Sequence, residues 1–273
     1  MSFLDHLEEL RWHLVRAAIA LLAITIAVFL AKDFVFETII FGPTRQDFVT
    51  FRFFCWLGDA IGGAERLCMD IEPIDWITPV FGETFIIHMR VSFILGFVFS
   101  FPYIFWEIWR FIRPALYEEE QQAARGTVFV CSSLFLSGIA FGYFLIAPFA
   151  VYFLLNYELP GVSPQPALAS YVSYLSLFTV PSGVIFELPV LVYFLTRVGL
   201  LSSALMKDYR RHALVVLLVL SAVVTPPDPI TLCLLGGPLY SLYEISILIA
   251  KRVERRRAAA EVAQEAADRA RLN

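Results

Sequence analysis

Charged side chains are scarce in this sequence: they make up 17% of its 273 residues, while hydrophobic residues make up 59%. So few charges cannot cover the surface of a water-soluble protein of this length, which excludes that class and predicts an integral membrane protein. The formal net charge is only −4, and no basic stretch is interleaved with aromatic residues. This excludes a nucleic-acid partner.

Signatures of catalysis and metal binding are also missing. The sequence contains no HExxH, CxxC or GxSxG motif and no phosphate-binding loop, and its histidines are few and scattered (His6, His13, His88 and His212). We therefore predict no enzymatic activity, no metal site and no cofactor. The acidic start MSFLDHLEELRWH differs from the basic start of a cleavable signal peptide. We expect the chain to insert by its own helices.

Six apolar runs approach or exceed the roughly 20 residues that a transmembrane helix needs. They cover residues 14–31, 84–112, 127–156, 171–196, 213–225 and 230–250. The fifth run rises only about 20 Å as a helix, so it is either a short span or a longer one. In the longer alternative it starts near Tyr209, and the side chains of Arg210 and Arg211 extend to the interface. Both alternatives stay open. The sequence predicts an all-α bundle of six transmembrane helices with short fifth and sixth spans.

The placement of lysine and arginine predicts the orientation. With a cytoplasmic N-terminus, 16 of the 21 Lys and Arg residues lie in inner segments, and four lie outside, all in the loop at residues 32–82. Cytoplasmic loops are enriched in these residues, so both termini are predicted inside. We expect residues 1–250 to form the membrane domain and residues 251–273 to form a charged cytoplasmic tail.

The first outer loop contains two cysteines, Cys55 and Cys68. The predicted orientation puts them in an oxidising compartment, where a disulfide closing this short loop contributes about 3 kcal/mol. A disulfide is favoured, and two unpaired thiols are the alternative.

Ionisable residues inside predicted spans are functional candidates because burying them in lipid is costly. Glu187 lies near mid-bilayer between Pro181 and Pro189, which can kink the helix toward a cavity. A functional carboxylate is favoured there over a protonated, hydrogen-bonded structural one. Glu83 and Arg90 lie two turns apart, and they pair either with each other or with another helix.

Three further carboxylates have structural interpretations. Glu107 and Glu244 lie nearer the inner ends of their spans, where packing or capping is at least as well supported as function. Asp228, in TPPDP, is placed to cap the next helix.

Acidic residues also occur on the predicted inner face, at Glu8 and Glu9 and at Glu118 to Glu120. One interpretation is that they lie at helix N-termini, which favour negative charge. The other is an acidic surface that captures a cationic ligand, since carboxylates bind guanidinium groups through paired hydrogen bonds.

Six segments in order resemble the TatC family, the substrate-receptor subunit of the twin-arginine protein translocase. They are HLEELRWHL at 6–14, GETFIIHMRVS at 82–92, FIRPALYEEE at 111–120, FELPV at 186–190, SAVVTPPDP at 221–229 and PLYSLYE at 238–244. The resemblance implies a multi-pass protein of the bacterial cytoplasmic membrane. It also implies binding of twin-arginine signal peptides, assembly with TatA- and TatB-like single-span partners and with further copies of the chain, and export of folded proteins driven by the proton-motive force.

The resemblance also implies roles for individual residues. Glu9 and Glu120 are expected to face the paired arginines, in a site shaped by Arg11, Phe111, Pro114, Leu116 and Tyr117. Glu187 is expected in a concave cavity that receives the signal peptide and a partner helix, with Asp228 and Thr231 near the partner contacts. Three features depart from the family pattern. The EEEQQ stretch has no Arg after its Glu, and Leu232 stands where the family often has a polar residue. The cysteine-bearing part of the loop at residues 32–82 resembles an insertion.

A proton-coupled transporter of small solutes that uses Glu187 is the alternative function. It accounts for the intramembrane carboxylate, but not for the acidic inner surface or the ordered motifs. Charge reversal at Glu9 and Glu120 discriminates the two hypotheses, because a solute carrier should tolerate it. A purely structural scaffold predicts that Glu187→Ala affects stability alone.

Overall fold

The computed structural model describes residues 3–61, 68, 71, 74–112, 118–157, 160–161, 165–224 and 229–272. Within the helices, it gives the backbone but not the side chains of residues 3–7, 61, 112, 118–125, 224, 229–230, 260–261, 263–268 and 270–272. The described chain is helical apart from connecting turns and one isolated parallel bridge between Ile77 and Ala167.

Eleven α-helices occur within the described residues. They are α1 (Phe3–Leu30), α2 (Lys32–Phe34), α3 (Val49–Ile61), α4 (Glu83–Ile112), α5 (Glu118–Phe141), α6 (Ala147–Leu155), α7 (Leu168–Ile185), α8 (Leu188–Val198), α9 (Ser203–Asp208), α10 (Arg210–Val224) and α11 (Pro229–Leu272). A π-helix at Val35–Ile40 and a 3₁₀-helix at Gly42–Thr44 follow α2, and a second π-helix at Gly142–Ile146 joins α5 to α6.

Five described segments are long and apolar enough to cross a membrane, which makes this a multi-pass membrane protein. They are Glu8–Leu30, Glu83–Phe111, Gly126–Leu155, Leu168–Val198 and Thr231–Ala259. They coincide with the first four predicted spans and the sixth. The sixth segment begins at the predicted span and extends past it into the charged tail, because α11 continues to Leu272 without a break.

The fifth predicted span corresponds to α10, which has 15 residues. This length gives a rise of about 22 Å, below the roughly 30 Å of a hydrocarbon core. The helix begins at Arg210, as in the longer of the two alternatives left open by the sequence. A count of six spans therefore stays a prediction.

Residues 1–183 form the first of two compact units. In it, α1 packs along α4, and α4 packs against α5 through aromatic rings. The rings of Phe101 and Phe135 stack with their centroids 3.6 Å apart, and Phe97 meets Phe135 edge to face. Such pairs add to the energy of burial.

Residues 35–61, in the first predicted outer loop, pack onto the spans of the same unit. The hydroxyls of Tyr143 and Tyr171 donate to the carbonyls of Ile39 and Ile40, each at 2.6 Å. These bonds satisfy backbone carbonyls where the helical pattern becomes irregular. The structure joins Cys55 and Cys68 in a disulfide, with Cα atoms 4.4 Å apart.

Residues 184–273 form the second unit. Its core consists of Val192 from α8, Met206 from α9, and Ile247 and Ala250 from α11. The carboxylate of Glu254 on α11 accepts hydrogen bonds from the backbone N–H and the hydroxyl of Ser203, at 2.7 and 2.5 Å. Glu254 thus fixes the start of α9 against α11.

Candidate functional site

A polar pocket of about 420 Å³ opens between the N-terminal part of α1 and the C-terminal part of α4. Its lining residues on α1 recur three, four and seven positions apart, so they share one helical face. Four lining residues come from α1 and one from α4: Glu9, Trp12, His13, Arg16 and Arg110. The pocket lies at the end of both helices that sequence analysis assigns to the cytoplasmic side.

The wall of the pocket is fixed by a buried pair, His13 and Glu107. His13 Nδ1 donates to Oε2 of Glu107 at 2.5 Å, and their exposed fractions are 7% and 1%. A buried carboxylate needs such a partner, because desolvation of an unpaired charge is costly. Glu107 therefore ties α4 to α1 and is not available to a ligand.

Glu9 is the acidic side chain of the pocket that remains open to a ligand. It is half-buried, and the other described charges of the lining are the exposed Arg16 and Arg110. The Arg110 guanidinium lies over the Trp106 ring, 5.7 Å from its centroid. One carboxylate can bind one guanidinium in a paired arrangement. A ligand with two such groups requires a second carboxylate from outside this lining.

The residues predicted for this site fall into three groups. Glu9 lines the pocket, and the Phe111 ring contacts His13 edge to face with centroids 6.2 Å apart. Arg11 is exposed and is not among the lining residues that the structure describes. The remaining ones lie outside the described residues or have undescribed side chains: Pro114, Leu116, Tyr117 and Glu120.

Glu187 lies at a break between two helices of one span. It occupies the N-cap position of α8, and its carbonyl accepts hydrogen bonds from the N–H groups of Val190 and Leu191, each at 3.0 Å. Pro189 stands in the first turn of α8, where a missing N–H removes no helical hydrogen bond. The side chain of Glu187 is half-buried. Thr231 is fully buried, and Asp228 lies outside the described residues.

Two of the other charges in the predicted spans, Arg90 and Glu244, bond to a residue on a different helix. Arg90 donates to the Ser173 hydroxyl on α7 at 2.8 Å, so it bonds to another helix, while Glu83 begins α4. Glu244 accepts from Arg210 at 2.6 Å and from the Tyr240 hydroxyl at 3.0 Å. Within the described residues, no group of three or more His, Cys, Asp or Glu is placed to hold a metal ion.

Sequence reasoning missed His13, Arg16 and Arg110 as site residues. A signal for the first two was present: His13 and Arg16 follow Glu9 by four and seven positions, which places polar groups on one face of an otherwise apolar helix. Nothing in the sequence indicated that His13 bonds to a residue 94 positions away.

Residues 5–238 match the family described as "Sec-independent protein translocase protein (TatC)". The Sec-independent protein translocase protein TatC of Blattabacterium sp. subsp. Periplaneta americana (strain BPLAN) is 35% identical over 262 residues, covering 94% of this chain and 97% of the relative. The TatCy protein of Bacillus subtilis (strain 168) is 31% identical over 258 residues, covering 94% of this chain and 91% of the relative.

A crystal structure described as that of the twin arginine translocase receptor TatC is similar to this fold, with a TM-score of 0.68 and 29% sequence identity. The similarity covers 91% of this chain and 99% of the crystallised one. A second structure of the receptor, in the detergent DDM, has a TM-score of 0.69 over 90% of this chain and 99% of the crystallised one. The chain therefore belongs to the TatC family of Sec-independent protein translocase proteins.

Proposed function

We propose that this chain is the receptor subunit of a twin-arginine translocase and that the pocket between α1 and α4 binds the paired arginines of signal peptides. The observation that carries the proposal is the carboxylate of Glu9, which is half-buried in an open pocket while the neighbouring Glu107 is bonded to His13. A partly desolvated carboxylate binds a guanidinium more strongly than a fully hydrated one does.

Two arginines require two carboxylates. Arg16 and Arg110 also line the pocket and repel a cationic ligand, so Glu9 alone cannot balance the charge of two guanidinium groups. The acidic run Glu118–Glu120 begins α5, the helix that follows α4 in the chain. We assign the second carboxylate to Glu120. Glu9 and Glu120 thus bind one arginine each. Phe111 supports the pocket by packing against its lining residue His13.

The rest of the proposal follows the sequence prediction. Six spans with both termini in the cytoplasm put the pocket on the side where signal peptides are made. Glu187, at the helix break in the second unit, serves with Asp228 and Thr231 in contacts to single-span TatA- and TatB-like partners. Export of folded cargo across the bacterial cytoplasmic membrane is driven by the proton-motive force, and several copies of the chain assemble.

Photo-crosslinking in native membranes tests the arginine-binding role. A photo-reactive group beside the paired arginines of a signal peptide should form adducts close to Glu9 and Glu120. The adducts should be lost in Glu9→Gln and when the arginines become lysines. Glu8→Gln is the matched control, because Glu8 is exposed and is not among the described lining residues.

Two results would contradict the proposal. One is no adduct near the pocket with inserted, folded protein, and the other is equal loss of adducts in Glu8→Gln and Glu9→Gln. Either result favours the solute-transporter hypothesis. Proton-coupled uptake into vesicles that is abolished by Glu187→Gln and retained in Glu9→Lys would then establish that alternative.

A further inference from the structure

Helix α3 has apolar side chains on two opposite faces, and only one face is covered within the described structure. Phe51 is 3% exposed and packs in a cluster with Phe48. On the other side, Val49, Phe53 and Trp56 are 65%, 52% and 64% exposed. Their spacing of four and three residues puts them on one helical face. A loop helix in water would carry polar residues there.

Two contacts fix the height of α3 against the third candidate span. The Thr50 hydroxyl donates to the Phe144 carbonyl, and the Phe54 ring meets Phe149 edge to face at 5.0 Å. From the first contact to the second, the chain advances four residues along α3 and five residues along the span. The two helices rise in the same direction, and α3 leans along the span.

The length of this span puts the Thr50 contact at the level of the hydrocarbon core. Gly126–Leu155 has 30 residues, about 45 Å of helix against a core of about 30 Å. Phe144 lies about 27 Å from Gly126 along the axis and about 16 Å from Leu155. Phe144 therefore lies inside the hydrocarbon core whether the excess helix extends beyond the core at Gly126 or at Leu155. Tilting the helix would only reduce these distances along the membrane normal.

We propose that the face of α3 formed by Val49, Phe53 and Trp56 contacts the lipids of the bilayer leaflet beside the α1–α4 loop. Val49 lies close to the level of Thr50 and Phe53 lies just above it, and both contact acyl chains. Trp56 lies higher, near the headgroups, where the ring is amphipathic enough to be favoured. Arg52 is exposed on this face between Val49 and Trp56, and its long side chain can extend from there toward the headgroups.

The apolar surface is continuous with the membrane-facing part of the unit. Val49 lines one apolar cavity together with Leu95 and Phe99 of α4 and Leu136 of α5. Phe99 is itself exposed. The same solvent that covers these spans therefore reaches the first turn of α3. This continuity favours lipid over a protein partner as the occupant.

Quenching of Trp56 fluorescence tests the proposal in the full-length protein in vesicles. The Trp56 signal is the difference between the emission of the wild type and that of Trp56→Phe, a substitution that keeps an aromatic ring. Lipids brominated on the upper acyl chain should remove most of this difference, and aqueous iodide should remove little of it. Quenching by iodide but not by brominated lipid would overturn the proposal, as would quenching by neither.

Crosslinking identifies the occupant directly. A photo-reactive amino acid at Phe53 should form adducts with lipid. The same group at Asp59, which is exposed one turn beyond Trp56 and above the proposed headgroup level, should not. Protein adducts at Phe53, to a second copy or to another chain, would overturn the proposal. Neither measurement depends on signal-peptide binding, so the outcome is independent of the proposed function.

Discussion

Replacing His13 with alanine should destabilise the first unit strongly, because it leaves the Glu107 carboxylate buried without this partner. The two side chains are 8% and 2% exposed, and Nδ1 lies 2.5 Å from Oε2. Removing one partner of a buried pair costs about 3–5 kcal/mol. For a protein of this size, that lowers the Tm by roughly 6 °C or more. Glu107→Gln should cost less, since the amide oxygen still accepts from His13.

Thermal unfolding in detergent, compared at one scan rate, measures the effect. Arg11→Ala is the matched control on α1, because Arg11 is exposed two positions from His13. The double variant His13→Leu/Glu107→Leu should recover most of the loss, since an apolar replacement of a buried pair is close to neutral. If His13→Ala has the same Tm as Arg11→Ala, the reasoning is wrong. It is also wrong if the double variant loses as much as His13→Leu and Glu107→Leu lose together when made singly, because the two residues are then not coupled.

Three further predictions concern packing, the disulfide and an exposed ion pair. Gly142→Ala should cost about 1–3 kcal/mol in unfolding experiments, because its Cβ would overlap the Phe178 carbonyl oxygen. Gly126→Ala meets nothing within 4 Å and should be close to neutral. Reduction of the disulfide at Cys55 should lower stability by about 3 kcal/mol, and an unchanged Tm with reductant would contradict this. Glu244→Gln should change stability by less than about 1 kcal/mol, since exposed pairs contribute little; a larger loss of Tm would show that this pair is buried in the membrane-embedded protein.

The positions of the long spans could be predicted because lipid imposes a simple rule on sequence. Every backbone group must be satisfied internally, so a sustained apolar run becomes a helix. The runs at 84–112 and 127–156 agree within a residue with the bounds of the candidate spans Glu83–Phe111 and Gly126–Leu155. The interruption near Glu187 also follows from local chemistry, since Pro189 cannot donate within a continuous helix.

Side-chain partners could not be predicted, because they depend on distances between helices rather than on spacing within them. Arg90 bonds to Ser173 and Glu107 bonds to His13, across 83 and 94 positions. The packing of residues 35–61 against the spans could not be predicted for a related reason. Its tyrosine contacts use backbone carbonyls as acceptors, and every residue has one.

Equilibrium binding of a signal peptide to the protein in nanodiscs tests the receptor function most directly. Wild type, Glu9→Gln and Glu8→Gln are compared using a peptide with paired arginines and one with paired lysines. Glu9→Gln loses charge-assisted hydrogen bonds worth about 1.5–3 kcal/mol, which should raise the Kd for the arginine peptide roughly 10- to 150-fold. Glu8→Gln should bind like wild type, and the lysine peptide should bind weakly to all three because lysine lacks the guanidinium fork. Equal affinity of wild type and Glu9→Gln for the arginine peptide would contradict the assignment of this pocket.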